Sequence, residues 1–257
     1  MQLARVTGVF LVLVLTTVAS VRSAATPDTG SPCLARTLDK LKSLDFKGVS
    51  ADCTAAIQLR PDSASAYALR GRARYFLRRY PDALIDLDRA ITLSPRYEFA
   101  LMARCMVYKE LEQYDAALSD CASALELDPS YYETYFARAG VYLKKGDYRK
   151  AIGDYTTYLQ RFPNDPDSLY NRGLSYADLD DCKSAIQDFD NQLKLQADDP
   201  DGLYQRGRCE ARLGDMADAK TDLVAAAVLY QKQDNADGIS RVTNLMLSLF
   251  GSKTDSK

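Results

Sequence analysis

Apolar side chains recur three and four positions apart along most of the chain, in segments of helical length separated by short polar turns. The stretch YFARAGVYLKKGDYRKAIGDY, residues 135–155, shows the unit: two short amphipathic helices about a turn at Lys145-Gly146-Asp147. Leu213-Gly214-Asp215 marks another such turn. The pattern is periodic. Pro61, Pro95, Pro129 and Pro163 stand 34 residues apart. Val49, Ala83, Ala117, Ala151, Ala185 and Ala219 keep the same interval, each preceded at three positions by Phe46, Tyr80, Tyr114, Tyr148, Cys182 or Met216. A second small series is Gly71, Cys105, Ala139, Gly173 and Gly207, with Thr37 in its place in the first unit. Six two-helix units are therefore predicted at about 30–63, 64–97, 98–131, 132–165, 166–199 and 200–233.

Physical chemistry points the same way. Small residues let two helices approach closely, and each closing proline ends a helix because it lacks an N–H and clashes with the preceding turn. One helix pair cannot bury its own apolar face, so neighbouring pairs must stack. Beyond the last unit, NADGISRVTNLMLSLF places Ile239, Val242, Leu245 or Met246, and Leu249 on one stripe, with Asn235 or Asp237 as N-cap. Residues 234–250 are expected to form a helix that caps the array. Its polar face, Ser240, Thr243 and Asn244, lacks the basic side chains of a membrane-surface helix. Residues 251–257 are expected to be a flexible tail.

The segments AYALRGRARYFLRRYPDALIDLDRAITLSP and YFARAGVYLKKGDYRKAIGDYTTYLQRFP resemble tetratricopeptide repeats, and the likeness extends over nearly all the chain after its N-terminal segment. The resemblance implies an all-α, right-handed α-solenoid of about six helix-turn-helix units. Two departures stand out. The family's tryptophan is replaced by Tyr67, Leu101, Tyr135, Leu169 and Leu203, and Ala197 and Gln231 take the place of the closing proline in the last two units.

Charge follows the period too. Arg36, Arg70, Arg104, Arg138, Arg172 and Arg206 are each followed, 16 residues later, by Asp52, Asp86, Asp120, Asp154, Asp188 and Asp222. In an antiparallel hairpin that turns near the middle of that interval, the two side chains fall at one height. The expectation is a structural ladder of ion pairs within each hairpin or to the next one. A row of arginines awaiting an anion is disfavoured, because each has a matching aspartate.

Composition narrows the functional classes. The chain has no histidine, which removes Ser-His and Cys-His nucleophile systems and every histidine-ligated metal site. Its formal net charge of −2 offers no basic field for nucleic acid. The acidic clusters Asp178-Leu-Asp-Asp181 and Asp198-Asp-Pro-Asp201 fall at predicted turns, as caps or solvated loops. No enzyme activity and no cofactor are expected.

The N-terminus reads as a secretory signal peptide over residues 1–23, with Arg5, an apolar run from Val6 to Ala19 and small residues after it. A short linker, 24–29, follows. The run is shorter than a spanning helix needs, so no membrane insertion is expected after cleavage. The chain is thus expected to be exported, periplasmic or secreted. Six cysteines in such a chain suggest disulfides. Sequence permits about 15 connectivities, and the repeat register favours 33–53, 105–121 and 182–209, each joining adjacent helices. The alternative is that Cys33, Cys53, Cys105, Cys121, Cys182 and Cys209 are small core residues.

In tetratricopeptide arrays the first helix of each unit lines the concave face. By position, the resemblance assigns that face to Arg72, Tyr75, Phe76, Phe99, Met102, Met106, Lys109, Phe136, Leu143, Tyr170, Leu174, Tyr204, Arg208 and Arg212. Apolar and aromatic anchors of this kind suit an amphipathic or extended peptide. Where the family grips chaperone C-termini with Lys and Asn, this chain has Ala68, Arg72, Met102 and Met106, so a co-chaperone role is not supported. The expected function is a non-catalytic scaffold that binds a protein or peptide on its concave surface. The alternative is a structural or assembly factor of a cell-envelope complex, acting through homo-oligomerisation or its convex face.

Overall fold

The structure is a computed structural model that describes residues 40–251 apart from Lys42. The expected signal peptide 1–23, the linker 24–29, the start of the first unit with Cys33, Arg36 and Thr37, and residues 252–257 of the tail lie outside the described residues. Among the described residues the fold is all-α, with twelve helices and no strand. They are α1 (Phe46–Leu59), α2 (Ala64–Phe76), α3 (Tyr80–Leu93), α4 (Glu98–Glu110), α5 (Tyr114–Leu127) and α6 (Tyr132–Lys145). After them come α7 (Tyr148–Arg161), α8 (Pro166–Asp178), α9 (Cys182–Leu195), α10 (Pro200–Leu213), α11 (Met216–Lys232) and α12 (Ala236–Phe250). None is long and apolar enough to cross a membrane.

Packing divides the chain into two compact units, one ending at Asp147 and one beginning at Tyr148. The N-terminal unit holds α1–α6 and the C-terminal unit α7–α12. Within each unit consecutive helices pack on one another, and first helices of successive repeats also touch: α2 with α4, α4 with α6, and α8 with α10. The helix after the last hairpin, α12, packs on α10 and α11. Asn235 rather than Asp237 caps it, accepting from the Gly238 N–H at 2.9 Å. Its Val242 is fully buried, with Ile239, Leu245, Met246 and Leu249 against the same cluster.

The hairpins close by matching a small residue to a large one. A Cβ on Gly71 would lie 2.7 Å from Leu87 Cγ, and one on Gly173 2.8 Å from the Phe189 ring. A Cβ on Gly207 would meet the Ala219 carbonyl at 3.1 Å and Leu223 Cγ at 3.2 Å. The pairs Gly71–Leu87, Gly173–Phe189 and Gly207–Leu223 each span 16 residues, the spacing of Cys105 and Cys121, whose Sγ atoms are 2.11 Å apart and whose Cα atoms are 5.6 Å apart. Sulfur therefore fills in one repeat the space that a bulky side chain fills in the others.

Turns between the two helices of a hairpin share one conformation. Leu44, Arg78, Glu112, Gly146, Asp180 and Gly214, again 34 apart, all have φ between 58° and 92°. Only two of the six are glycine, although a side chain in this left-handed region costs about 1–2 kcal/mol. At the other end of the first three hairpins, the residue before the proline is extended: Arg60, Ser94 and Asp128 have ψ of 91°, 90° and 94°. Steric conflict with the proline ring imposes that conformation and stops the helix.

Candidate functional site

The repeated charges are built into the scaffold. Arg104 grips Asp120 in a fork, Nε to Oδ2 and Nη2 to Oδ1, both at 2.7 Å. Arg70–Asp86, Arg172–Asp188 and Arg206–Asp222 repeat that fork at 2.6–2.9 Å. The aspartates are nearly or fully buried, Asp86 at 1% exposure and Asp188 at 3%. The remaining guanidinium nitrogen reaches the preceding repeat. Nη1 of Arg70, Arg104, Arg172 and Arg206 donates to Thr54, Asp88, Thr156 and Asp190 at 2.7–3.2 Å. Each arginine thus ties its own hairpin and binds it to the previous one. The signal was present in the sequence, since these four acceptors lie 16 residues before their arginines. Ala122 holds that place before Arg138 and offers no acceptor.

Two rungs differ. In the first repeat Asp52 is held by Lys40 at 2.7 Å, and its expected partner Arg36 lies outside the described residues. Arg138 and Asp154 belong to different units. The Arg138 guanidinium stacks over Tyr135 and Tyr142 at 5.6 and 5.9 Å. The acidic turns supply caps: Asp181 accepts from the Ser184 N–H at 3.2 Å and Asp199 from the Gly202 N–H at 3.3 Å. Asp201 instead accepts from the Tyr230 hydroxyl and, at 3.1 Å, from Arg241 of α12.

The concave-face residues separate into two sets. Arg72, Phe99, Met102 and Met106, assigned by position to the concave face, are buried. Phe99 packs 5.8 Å from Tyr97 and lies under the Arg72 guanidinium, at 5.2 Å, which also covers Phe76 at 5.7 Å. Met102 and Met106 belong to the main core cluster of the N-terminal unit. Long side chains in the seam where α2 touches α4, and α4 touches α6, fill it rather than opening it. The other set stays partly open. Tyr75, Phe76, Lys109, Phe136 and Leu143 of the N-terminal unit are half-buried, as are Tyr170, Leu174, Tyr204 and Arg208 of the C-terminal unit; Arg212 is exposed. Lys109 pairs with Glu110 at 3.1 Å. Burial opposes its charge, but Tyr75 and Glu110 beside it hold its pKa above the ordinary value. Burial pushes the Tyr75 hydroxyl up.

The C-terminal unit holds two cysteines. Cys182 and Cys209 are free thiols, both buried in one cluster with Ala185 and Phe189. Burial first, and then a hydrogen bond with Cys182, pushes the Cys209 thiol up to about 12. Cys53 is buried in the N-terminal unit, and Cys33 lies outside the described residues. The neighbourhood of Glu210 gave no signal in the sequence. Its carboxyl is pushed up to about 7 by burial and by Asp222, against the pull of Arg206.

Stacked antiparallel hairpins, small-to-large closure and a charge ladder confined to the scaffold define an all-α helical-repeat protein. A family profile described as Tetratricopeptide repeat matches residues 104–166 and 170–237, more than half of the chain, and the chain belongs to that family. Its fold class is the all-α solenoid of tetratricopeptide repeats, a scaffold for protein–protein interaction. The crystal structure of PilW, a type IV pilus biogenesis factor, is similar with a TM-score of 0.71 and 15% identity, over 82% of this chain and 96% of that one. YrrB, a tetratricopeptide repeat protein with a peptide-binding site, has a TM-score of 0.61 and 18% identity, over 75% of this chain and 97% of that one. A tetratricopeptide repeat protein from Parabacteroides merdae has a TM-score of 0.60 and 16% identity, over 91% and 92%. No curated protein sequence matches the chain significantly.

Proposed function

We propose that this protein is an exported, non-catalytic scaffold that binds an apolar peptide or protein segment across the first helices of its repeats. The observation that carries the reading is the half-buried row Tyr170, Leu174, Tyr204 and Arg208 on α8 and α10, two first helices in mutual contact. The ladder arginines on those helices are already held by aspartates, so what is left for a partner is aromatic, aliphatic and cationic. Side chains of this kind, with one end packed and the other open, gain most from covering by an apolar anchor. Export rests on the N-terminal apolar segment and its small-residue boundary. In the same oxidising setting the close Cys105–Cys121 pair is a disulfide that staples the third hairpin.

Crosslinked co-purification of the full chain tests the binding face, comparing wild type with a Leu174→Asp/Tyr204→Asp variant whose helical circular dichroism is unchanged. Loss of the captured partner supports the reading, and unchanged capture refutes it. A second reading, assembly through the convex face, draws on Leu59 and Ile85 of α1 and α3, which are 78% and 67% exposed. It requires capture to survive the first variant and to fail with Leu59→Asp/Ile85→Asp.

A further inference from the structure

We propose that Cys182 and Cys209 form a dithiol site which a small-molecule disulfide oxidises to a crosslink between the fifth and sixth repeats. Cys182 is the first residue of α9, the second helix of the fifth repeat, and Cys209 lies in α10, the first helix of the sixth. The two helices pack together, and both cysteines sit in one buried cluster. No other cysteine stands in this unit.

The surroundings assign the two sulfurs different parts. Arg212 of α10 reaches back to the turn before α9, donating to the Ala177 carbonyl at 3.1 Å and lying 3.5 Å from Asp180. Cys182 opens α9 beside the turn that Arg212 reaches, at the edge of the cluster, and is assigned as the first to react. Its thiolate, having lost a proton to solvent, attacks one sulfur of the oxidant disulfide. A mixed disulfide forms and one thiolate leaves. Cys209 then gives up its proton and attacks the Cys182 sulfur, releasing the second thiolate. Both protein thiols are oxidised and one oxidant disulfide is reduced to two thiols.

The crosslink differs in kind from Cys105–Cys121. That pair lies within one hairpin, whereas Cys182–Cys209 spans the interface between hairpins. In a repeat array the terminal unit frays through its single interface. Oxidation therefore couples α10–α12 to the rest of the C-terminal unit. The proposal is independent of what the concave face binds.

The full chain, reduced and unfolded, is refolded by dilution into a buffer of oxidised and reduced glutathione, so that access to buried thiols does not limit the reaction. After an acid quench, alkylation and digestion, mass spectrometry is expected to recover the Cys182 and Cys209 peptides joined and lighter by two hydrogens. Hydrogen exchange of α11 and α12 is expected to slow several-fold relative to the same sample treated with a phosphine reductant. A Cys182→Ala/Cys209→Ala variant is expected to show no such redox dependence. Recovery of the two cysteines as alkylated thiols, as glutathione adducts only, or joined to other cysteines would overturn the site. A crosslink that leaves exchange unchanged would overturn the coupling of the repeats.

Discussion

Removing the Arg172–Asp188 fork one side at a time should reveal which partner the scaffold can least afford to strand. Asp188 retains 4% side-chain exposure and Arg172 19%, so the carboxylate is the more deeply desolvated charge. Arg172→Ala leaves that carboxylate buried and without its fork, which costs about 3–5 kcal/mol by analogy with broken buried pairs. Asp188→Ala leaves a guanidinium that still reaches Thr156 at 3.1 Å and still touches water, so the loss is smaller, about 2–3 kcal/mol. In the double variant neither charge remains, and the two losses overlap. Two charge-assisted hydrogen bonds at 2.7 Å, discounted for the solvent that reaches Arg172, give an expected coupling of about 2 kcal/mol. Urea unfolding followed by circular dichroism measures it, with m-values compared because repeat arrays lose two-state behaviour when one repeat weakens. Additivity within about 0.5 kcal/mol would refute the pairing. A larger loss for Asp188→Ala than for Arg172→Ala would refute the burial argument behind the asymmetry.

The left-handed turn at Glu112 gives a stabilising prediction. Glu112→Gly relieves about 1–2 kcal/mol of backbone strain and gives back about 0.5–1 kcal/mol to the unfolded chain, so a net gain of about 0.5–1 kcal/mol is expected in thermal unfolding. Gly214→Ala, at φ 92° with open space around the new methyl group, should cost about 1–2 kcal/mol by strain alone. Gly173→Ala drives a Cβ to 2.8 Å from the fully buried Phe189 ring and should cost about 1–3 kcal/mol, with Phe189→Leu in the same chain recovering part of it. Glu210, pushed up to about 7, holds its proton in the folded state while the unfolded chain releases it near the ordinary carboxylate value. Between those two pKa values the folded state binds more protons, so this group's contribution is full below the lower one and is lost as pH rises through about 7. Glu210→Gln should therefore gain on wild type as pH rises from about 4.5 to 7 and hold level above, read from urea midpoints; a constant difference would show that the carboxyl is not perturbed.

What could be read in the sequence was whatever the period forced to recur as a particular residue. Prolines that end hairpins, glycines that admit Leu87 or Phe189, and arginines paired with aspartates are each one side chain solving one geometric problem, so they repeat visibly. The left-handed turn repeats just as faithfully in the backbone, yet only Gly146 and Gly214 announce it. At Leu44, Arg78, Glu112 and Asp180 packing of the two helices overrides the local preference. The concave face was the least legible part for a related reason. A methionine or phenylalanine on a first helix has the same sequence signature whether its neighbour shields it or leaves it open, and that depends on the adjoining first helix. Phe99 is shielded because Arg72, one repeat earlier, lays a guanidinium over its ring. The arginines resolve the same ambiguity in the other direction. A fork to an aspartate 16 residues later closes a hairpin, and a third nitrogen on a residue 16 positions earlier joins it to its predecessor. At Ala122 the hairpin signature recurs without the Thr or Asp that accepts from the next arginine elsewhere. Sequence identity at a repeat position therefore reports how a hairpin closes more reliably than it reports how hairpins couple, and coupling is the property on which a binding face shared by several repeats depends.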